Sequence, residues 1–224
     1  MRYYISARSR LGLALAGSSL ISVCIYLGSV HTTHSYRFDY LIWNLFLAWI
    51  PVFLTIWLGK VLRRKLWSSW EALLVTVIWL SFLPNSFYMI SDFVHIQDVP
   101  QSRVLYDVIM FSSFIFNGVI LGYISLFLVH QELILRVAKR TAAILIGIVI
   151  ALCSFAIYLG HDLRWNTWDV LSNPGGILVD VSNHFLSPSS SQTVITTTLG
   201  FFVLLGSLYV VIWYIARNMK QLKV

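Results

Sequence analysis

Residues 72–96 read "ALLVTVIWLSFLPNSFYMISDFVHI". From Ala72 to Leu83 the only polar side chains are Thr76 and Ser81. Those residues cover about 18 Å as a helix, more than half of a ~30 Å hydrocarbon core. Pro84 and Asn85 therefore arrive at membrane depth, in the outer half of a crossing helix. Proline removes a backbone donor and clashes with the carbonyl four residues earlier, here that of Leu80, so a kink or break is expected at Pro84. Backbone left unpaired at that depth needs protein or water beside it.

The rest of the chain agrees with a membrane setting. Its 224 residues are 58% hydrophobic and 11% charged, against about 25% charged in a soluble domain, and mean hydropathy is +0.78. Six apolar runs stand out, at Leu11–Val30, Tyr40–Leu58, Ala72–Ile90, Val108–Val129, Thr141–Leu159 and Val194–Ile215. Runs of this length in lipid are helices, since every backbone group must find an internal partner. The expected fold class is all-α: one polytopic membrane domain over residues 1–224, with about six transmembrane helices. The first run is too long for a usual 7–15-residue signal core and is read as a retained helix.

Positive side chains near helix ends favour the cytoplasm. With the N-terminus inside and six alternating helices, 13 of the 16 Lys and Arg fall inside, including Lys60, Arg63, Arg64, Lys65, Arg136, Lys139 and Arg140. Only Arg37, Arg103 and Arg164 fall outside. Both termini are thus expected in the cytoplasm, and the chain in the plasma membrane of the cell. The net charge of +7 then orients helices and faces anionic lipid, and nucleic acid is not an expected partner. Seven Asp and five of six His, by contrast, gather on the outer side. Cys24 and Cys153 fall inside runs and read as packing residues rather than a disulfide.

Two outer segments concentrate the polar groups, in loops after the third and fifth helices. In the first, Asn85, Tyr88, Asp92 and His95 fall within an arc of about 80° at helical spacing, which aligns them on one stripe. The bland reading is a helix end in the aromatic belt. The functional reading is the wall of a site, because intramembrane polar groups usually have a partner or a function. The second segment, "YLGHDLRWNTWDVLSNP" at 158–174, packs His161, Asp162, Arg164, Asn166 and Asp169 around Trp165 and Trp168. It reads either as an interfacial anchor or as a pocket lip, in which Arg164 offers a planar fork for phosphate or carboxylate.

These two segments resemble the bacterial integral-membrane family catalogued as domain of unknown function 1361, whose members carry "LPNxxYxxTDxxH" and "GRxLRWNSWD". Ser91 stands for the usual Thr, Thr167 for the usual Ser and His161 for the usual Arg. The resemblance implies a multi-helix membrane protein and no particular activity.

The residues leave three readings open. In an envelope enzyme acting on a lipid or lipid-linked substrate, His95, Asp92 and Asp169 would be the catalytic groups, and Asn85, Tyr88, Arg164, Trp165, Asn166 and Trp168 would bind substrate. A divalent metal on Asp92 and His95, completed by Asp162, His161 or Asp169, is a minor variant, because D-x-x-H is a sparse ligand set. A transporter, flippase or accessory channel subunit would exploit the proline-interrupted third helix, although no matching break stands in another half. A non-catalytic assembly partner would need neither. Membrane lipid is the expected partner, with a second copy or another membrane protein beside it.

Overall fold

The computed structural model describes residues 2–161, 165, 172–186 and 188–218. These residues form seven α-helices: α1 (Arg2–Thr33), α2 (Tyr40–Val61), α3 (Trp70–Tyr88), α4 (Val104–Ile134), α5 (Lys139–His161), α6 (Pro174–Leu186) and α7 (Pro188–Asn218). A 3₁₀ helix (Met89–Asp98) extends α3, and a short 3₁₀ turn (Gln101–Arg103) leads into α4. There is no strand among the described residues. Six helices are long and apolar enough to cross a membrane, at Ser9–Thr33, Tyr40–Val61, Trp70–Gln97, Gln101–Ile134, Lys139–His161 and Gln192–Asn218. They coincide with the six runs read from sequence. The third and fourth are longer than expected, because the connection between them is itself largely helical.

Helix α3 lies between α2 and α5, while α4 packs across α1, α2, α3, α5 and α7. Water drives none of this association within lipid. Close packing and buried polar contacts do. Gly118 and Gly122 on α4 provide the closest approach, since a Cβ at Gly118 would lie 2.5 Å from the Met89 sulfur and one at Gly122 2.8 Å from the Phe87 ring. Two apolar clusters flank this crossing. One joins α2, α3, α4, α5 and α7 around Trp79, Leu83, Phe87, Leu126 and Ile157. The other joins α1, α2 and α4 around Leu41, Leu45, Phe111 and Phe114. Large apolar residues such as Leu13, Phe46, Phe53, Ile148 and Val203 point outward, as lipid-facing positions should. Cys153 is buried in the core, whereas Cys24 is exposed on the outside of α1, so the packing role expected of both fits only Cys153.

Pro84 does not break its helix. The α-helix runs through Pro84 to Tyr88, and the winding changes only at Met89. Neighbouring side chains supply hydrogen bonds around the proline: the Asn85 amide donates to the Phe82 carbonyl at 3.2 Å, and the Ser86 hydroxyl donates to the Ala48 carbonyl of α2 at 3.3 Å. Helix α2 contains Pro51 and is likewise continuous.

A buried polar chain ties three helices together. The Trp79 indole donates to the Ser125 hydroxyl at 2.7 Å. Thr55 and Ser125 share a hydroxyl hydrogen bond of 2.8 Å, and Thr55 donates to the Pro51 carbonyl at 2.8 Å. Ser125→Ala is expected to lower stability by about 1–3 kcal/mol, because the indole N–H of α3 keeps its burial and loses its acceptor. Thermal unfolding in detergent measures this. A midpoint equal to the wild type would mean that the chain adds nothing.

At one end of the bundle, Arg136 closes two helix termini. Its guanidinium donates to the Glu132 carbonyl of α4 at 2.7 Å and to the Leu62 carbonyl beyond α2 at 3.0 Å. A cation at helix C-termini satisfies orphan carbonyls and opposes the negative end of the dipole. Nearby, the sixth histidine, His130, is buried against α7. Its Nδ1 lies 2.8 Å from the Tyr209 hydroxyl, and its ring stacks on Trp213 at 3.8 Å.

Candidate functional site

The segment after Tyr88 is ten residues of 3₁₀ helix, where runs beyond three or four residues are uncommon and often mark a functional hinge or strain. Local chemistry supports the change of winding. The Ser91 hydroxyl donates to the Tyr88 carbonyl at 2.7 Å, three residues back. This gives a concrete use for the hydroxyl that Ser91 keeps where the resembled pattern has Thr. Met89 is fully buried against Gly118 and anchors the start of the segment. Pro100 lies just beyond its end.

The segment packs on α4 and reaches α2 through side chains, in antiparallel order. Ser86 meets Ala48, Asp92 meets Asn44 and His95 meets Tyr40: each step toward the C-terminus on one side matches a step toward the N-terminus on the other. Asp92 is only 3% exposed and accepts a hydrogen bond of 3.3 Å from the Asn44 amide. His95 is half-buried, with the Tyr40 ring edge-on to its imidazole at 5.6 Å between centroids. In 3₁₀ geometry residues three apart eclipse, so Asp92 and His95 stack along the axis roughly 6 Å apart.

The expected single stripe is therefore divided. Asp92 and His95 face α2. Tyr88, still on the α-helix, lies against α5, where a Cβ at Gly160 would come 2.9 Å from its ring. The arc of about 80° assumed α-helical winding to residue 95, and the change to 3₁₀ at Met89 removes that premise. Asn85 is half-buried and its amide serves the Phe82 carbonyl.

The two polar segments do meet. Gly160 brings Tyr88 into contact with the end of α5, and the Trp165 carbonyl would lie 3.6 Å from the same added Cβ at Gly160. The Trp165 N–H donates to the Leu159 carbonyl at 3.1 Å, and its indole donates to Asp180 of α6 at 3.2 Å. His161 ends α5 and is exposed. Asp162, Arg164, Asn166, Trp168 and Asp169 lie outside the described residues. Among the described residues, no group of three or more His, Cys, Asp or Glu is arranged to hold a metal ion.

Three neighbours of the site escaped the sequence reading. Asn44 had a usable signal, since a lone amide in the apolar "YLIWNLFLAWIP" is an intramembrane polar group of the kind that seeks a partner. Tyr40 and Gly160 had none, because their roles depend on which helices are neighbours.

Fold and site together define a polytopic helical membrane protein with a polar cluster at one end of its third crossing helix. The family model described as "Protein of unknown function (DUF1361)" matches residues 43–206. The match covers more than half of the chain and includes both polar segments, and the chain belongs to that family. It begins one residue before Asn44, so α1 lies outside the matched residues. No curated protein and no solved structure matches the chain.

Proposed function

We propose that this protein is a plasma-membrane enzyme with both termini in the cytoplasm, acting from the extracytoplasmic side on a lipid or lipid-linked substrate. The observation that carries the reading is the long 3₁₀ segment that buries Asp92 on Asn44 and holds His95 half-exposed beside Tyr40. A carboxylate at membrane depth is costly, and its retention there favours a functional role. His95 serves as the proton donor or acceptor. Asp92 fixes the segment that presents it. Arg164 holds the substrate's phosphate or oxyanion, with Asp169 as a second acid–base group and Asn85, Tyr88, Trp165, Asn166 and Trp168 lining the path.

His95→Ala, Asp92→Asn and Arg164→Ala are expected to insert and fold while losing at least 100-fold in activity, the scale of an acid–base group. Lipid profiling of cells lacking the gene, complemented with each variant, provides the readout. An enzyme changes the covalent structure of a lipid, whereas a transporter changes only its sidedness and an assembly partner changes neither. Full complementation by all three variants would overturn the site. The transport reading draws on Pro84 in the third crossing helix, but α3 stays wound through it, as α2 does through Pro51, and midplane transport sites favour unwound backbone.

A further inference from the structure

A basic cavity lies where α2 ends and α3 begins, at the opposite end of α2 from Tyr40. It encloses about 580 Å³, within the range of ligand sites, ~300–1,000 Å³. Its walls carry Lys60, Arg63, Arg64 and Lys65, together with Trp57 and the acid Glu71. The turn that bears the cations is fixed by the fold. The Val61 carbonyl accepts from the Arg64 and Lys65 N–H groups, both at 2.9 Å, which carries the winding of α2 into the turn. Beyond it the Trp67 indole donates to the Thr76 hydroxyl of α3 at 3.1 Å, and Arg136 of the α4 end holds the Leu62 carbonyl.

Two of the four cations are already engaged. Lys65 pairs with Glu71, and the Arg63 Nε donates to the Gly59 carbonyl at 3.2 Å, at the negative end of α2. Lys60 and Arg64 are different. Both are exposed, and among the described residues neither makes a side-chain hydrogen bond, ion pair or ring contact. Four cations against one acid leave the lining three positive charges in excess. The positive-inside pattern accounts for the sign of these charges. It does not account for a walled cavity that collects them.

The neighbouring face of α2 indicates the kind of anion. Phe53, Trp57 and Lys60 fall within an arc of about 60° at α-helical spacing. Phe53 is 61% exposed and Trp57 47% exposed, so one stripe runs from lipid-facing rings to an open cation. An indole at a helix end stands at headgroup level. A free anion would use the cations and leave the stripe idle, whereas a lipid uses both. Lys60 and Arg64 are separate cationic centres four residues apart, about one helical turn, a spacing that a glycerol joining two phosphates can bridge. We propose that this cavity binds the headgroup of a membrane lipid carrying two phosphates, one on Lys60 and one on Arg64, with a chain lying along Trp57 and Phe53. Basic pockets between crossing helices suit such headgroups. The proposal is independent of the enzyme reading, and its test reads binding rather than turnover.

The full-length protein in an uncharged detergent is titrated calorimetrically with cardiolipin, phosphatidylglycerol, phosphatidylcholine and inorganic pyrophosphate. Cardiolipin, with two phosphates, is expected to bind about fivefold or more tightly than phosphatidylglycerol, with one, and phosphatidylcholine most weakly. Lys60→Gln and Arg64→Gln each weaken cardiolipin binding roughly fivefold, the scale of one cation at a membrane surface. Lys139→Gln removes the same charge from the start of α5, outside the cavity, and is expected to bind as the wild type. Equal affinity for cardiolipin and phosphatidylglycerol would overturn the proposal, as would cavity variants that bind unchanged. An equal loss in the Lys139 variant would reduce the effect to general surface charge and overturn it too. Pyrophosphate binding as tightly as cardiolipin would overturn the assignment to a lipid. Both cavity side chains are exposed, so the thermal midpoints of their variants are expected to match the wild type, and either variant alone decides the matter.

Discussion

Replacing Gly122 with leucine is expected to abolish recovery of folded, monodisperse protein. At the α3–α4 crossing a single added carbon at Gly122 would lie 2.8–2.9 Å from two Phe87 ring atoms and 2.9 Å from the Ser86 Cβ. Phe87 is fully enclosed and has no room to retreat. At Gly118 the conflict includes backbone, with the Ser86 carbonyl oxygen 2.9 Å from the added carbon, so alanine there is expected to cost about 1–3 kcal/mol by overpacking. Leucine at either position adds three more carbons and forces the helices apart. The same change at Gly147 provides the control, because a Cβ there would meet nothing within 4 Å. Size-exclusion yield and thermal midpoint in detergent distinguish the cases. A Gly122→Leu protein that elutes and melts like the wild type would disprove the close crossing.

The second large effect concerns the Asn44–Asp92 pair. Asn44→Leu is expected to destabilise the protein by about 1.5–3 kcal/mol, since a buried carboxylate loses its amide donor. Asp92→Leu leaves the Asn44 amide without its acceptor and costs about 1–3 kcal/mol. The double variant is expected to recover much of the combined loss, because no polar group of the pair is then left unsatisfied. The cycle should give a coupling of roughly 1–2 kcal/mol. Simple additivity of the two losses would mean that the helices are not joined at this point. Biological activity separates from stability here: under the proposed mechanism the double variant folds and is inactive.

The contrast between these two pairs explains how much was legible beforehand. Apolar length set the six crossings, because backbone in lipid leaves no other solution for runs of that kind. Polar residues set inside or beside those runs, such as Asp92 and His161, marked the two segments for the same reason. The winding of residues 89–98 was not legible. It goes with the Ser91 hydroxyl, the Met89 contact with Gly118 and the Asp92 contact with Asn44, and the last two are tertiary contacts. A period of 3.6 was the natural assumption, and it put Tyr88 on the same face as Asp92. Likewise the charge pattern singled out Arg37 and Arg103 without revealing that they share a cavity, since that needed α1 to dock on α4. Its docking uses unassuming groups: the Asn117 amide donates to the Ser22 hydroxyl at 3.0 Å, and the Tyr106 hydroxyl to the Ile25 carbonyl at 2.7 Å.

The 3₁₀ segment also behaves, mechanically, as a tightened screw. It advances about 2.0 Å and turns about 120° per residue, against 1.5 Å and 100° in an α-helix. Relaxing all ten residues to α-helical pitch would draw its far end toward α3 by about 5 Å. Over the seven residues to His95, the same relaxation would swing its imidazole about 140° around the axis, off Tyr40 and away from α2. The Asn44–Asp92 hydrogen bond ties the thread to α2 partway along its length.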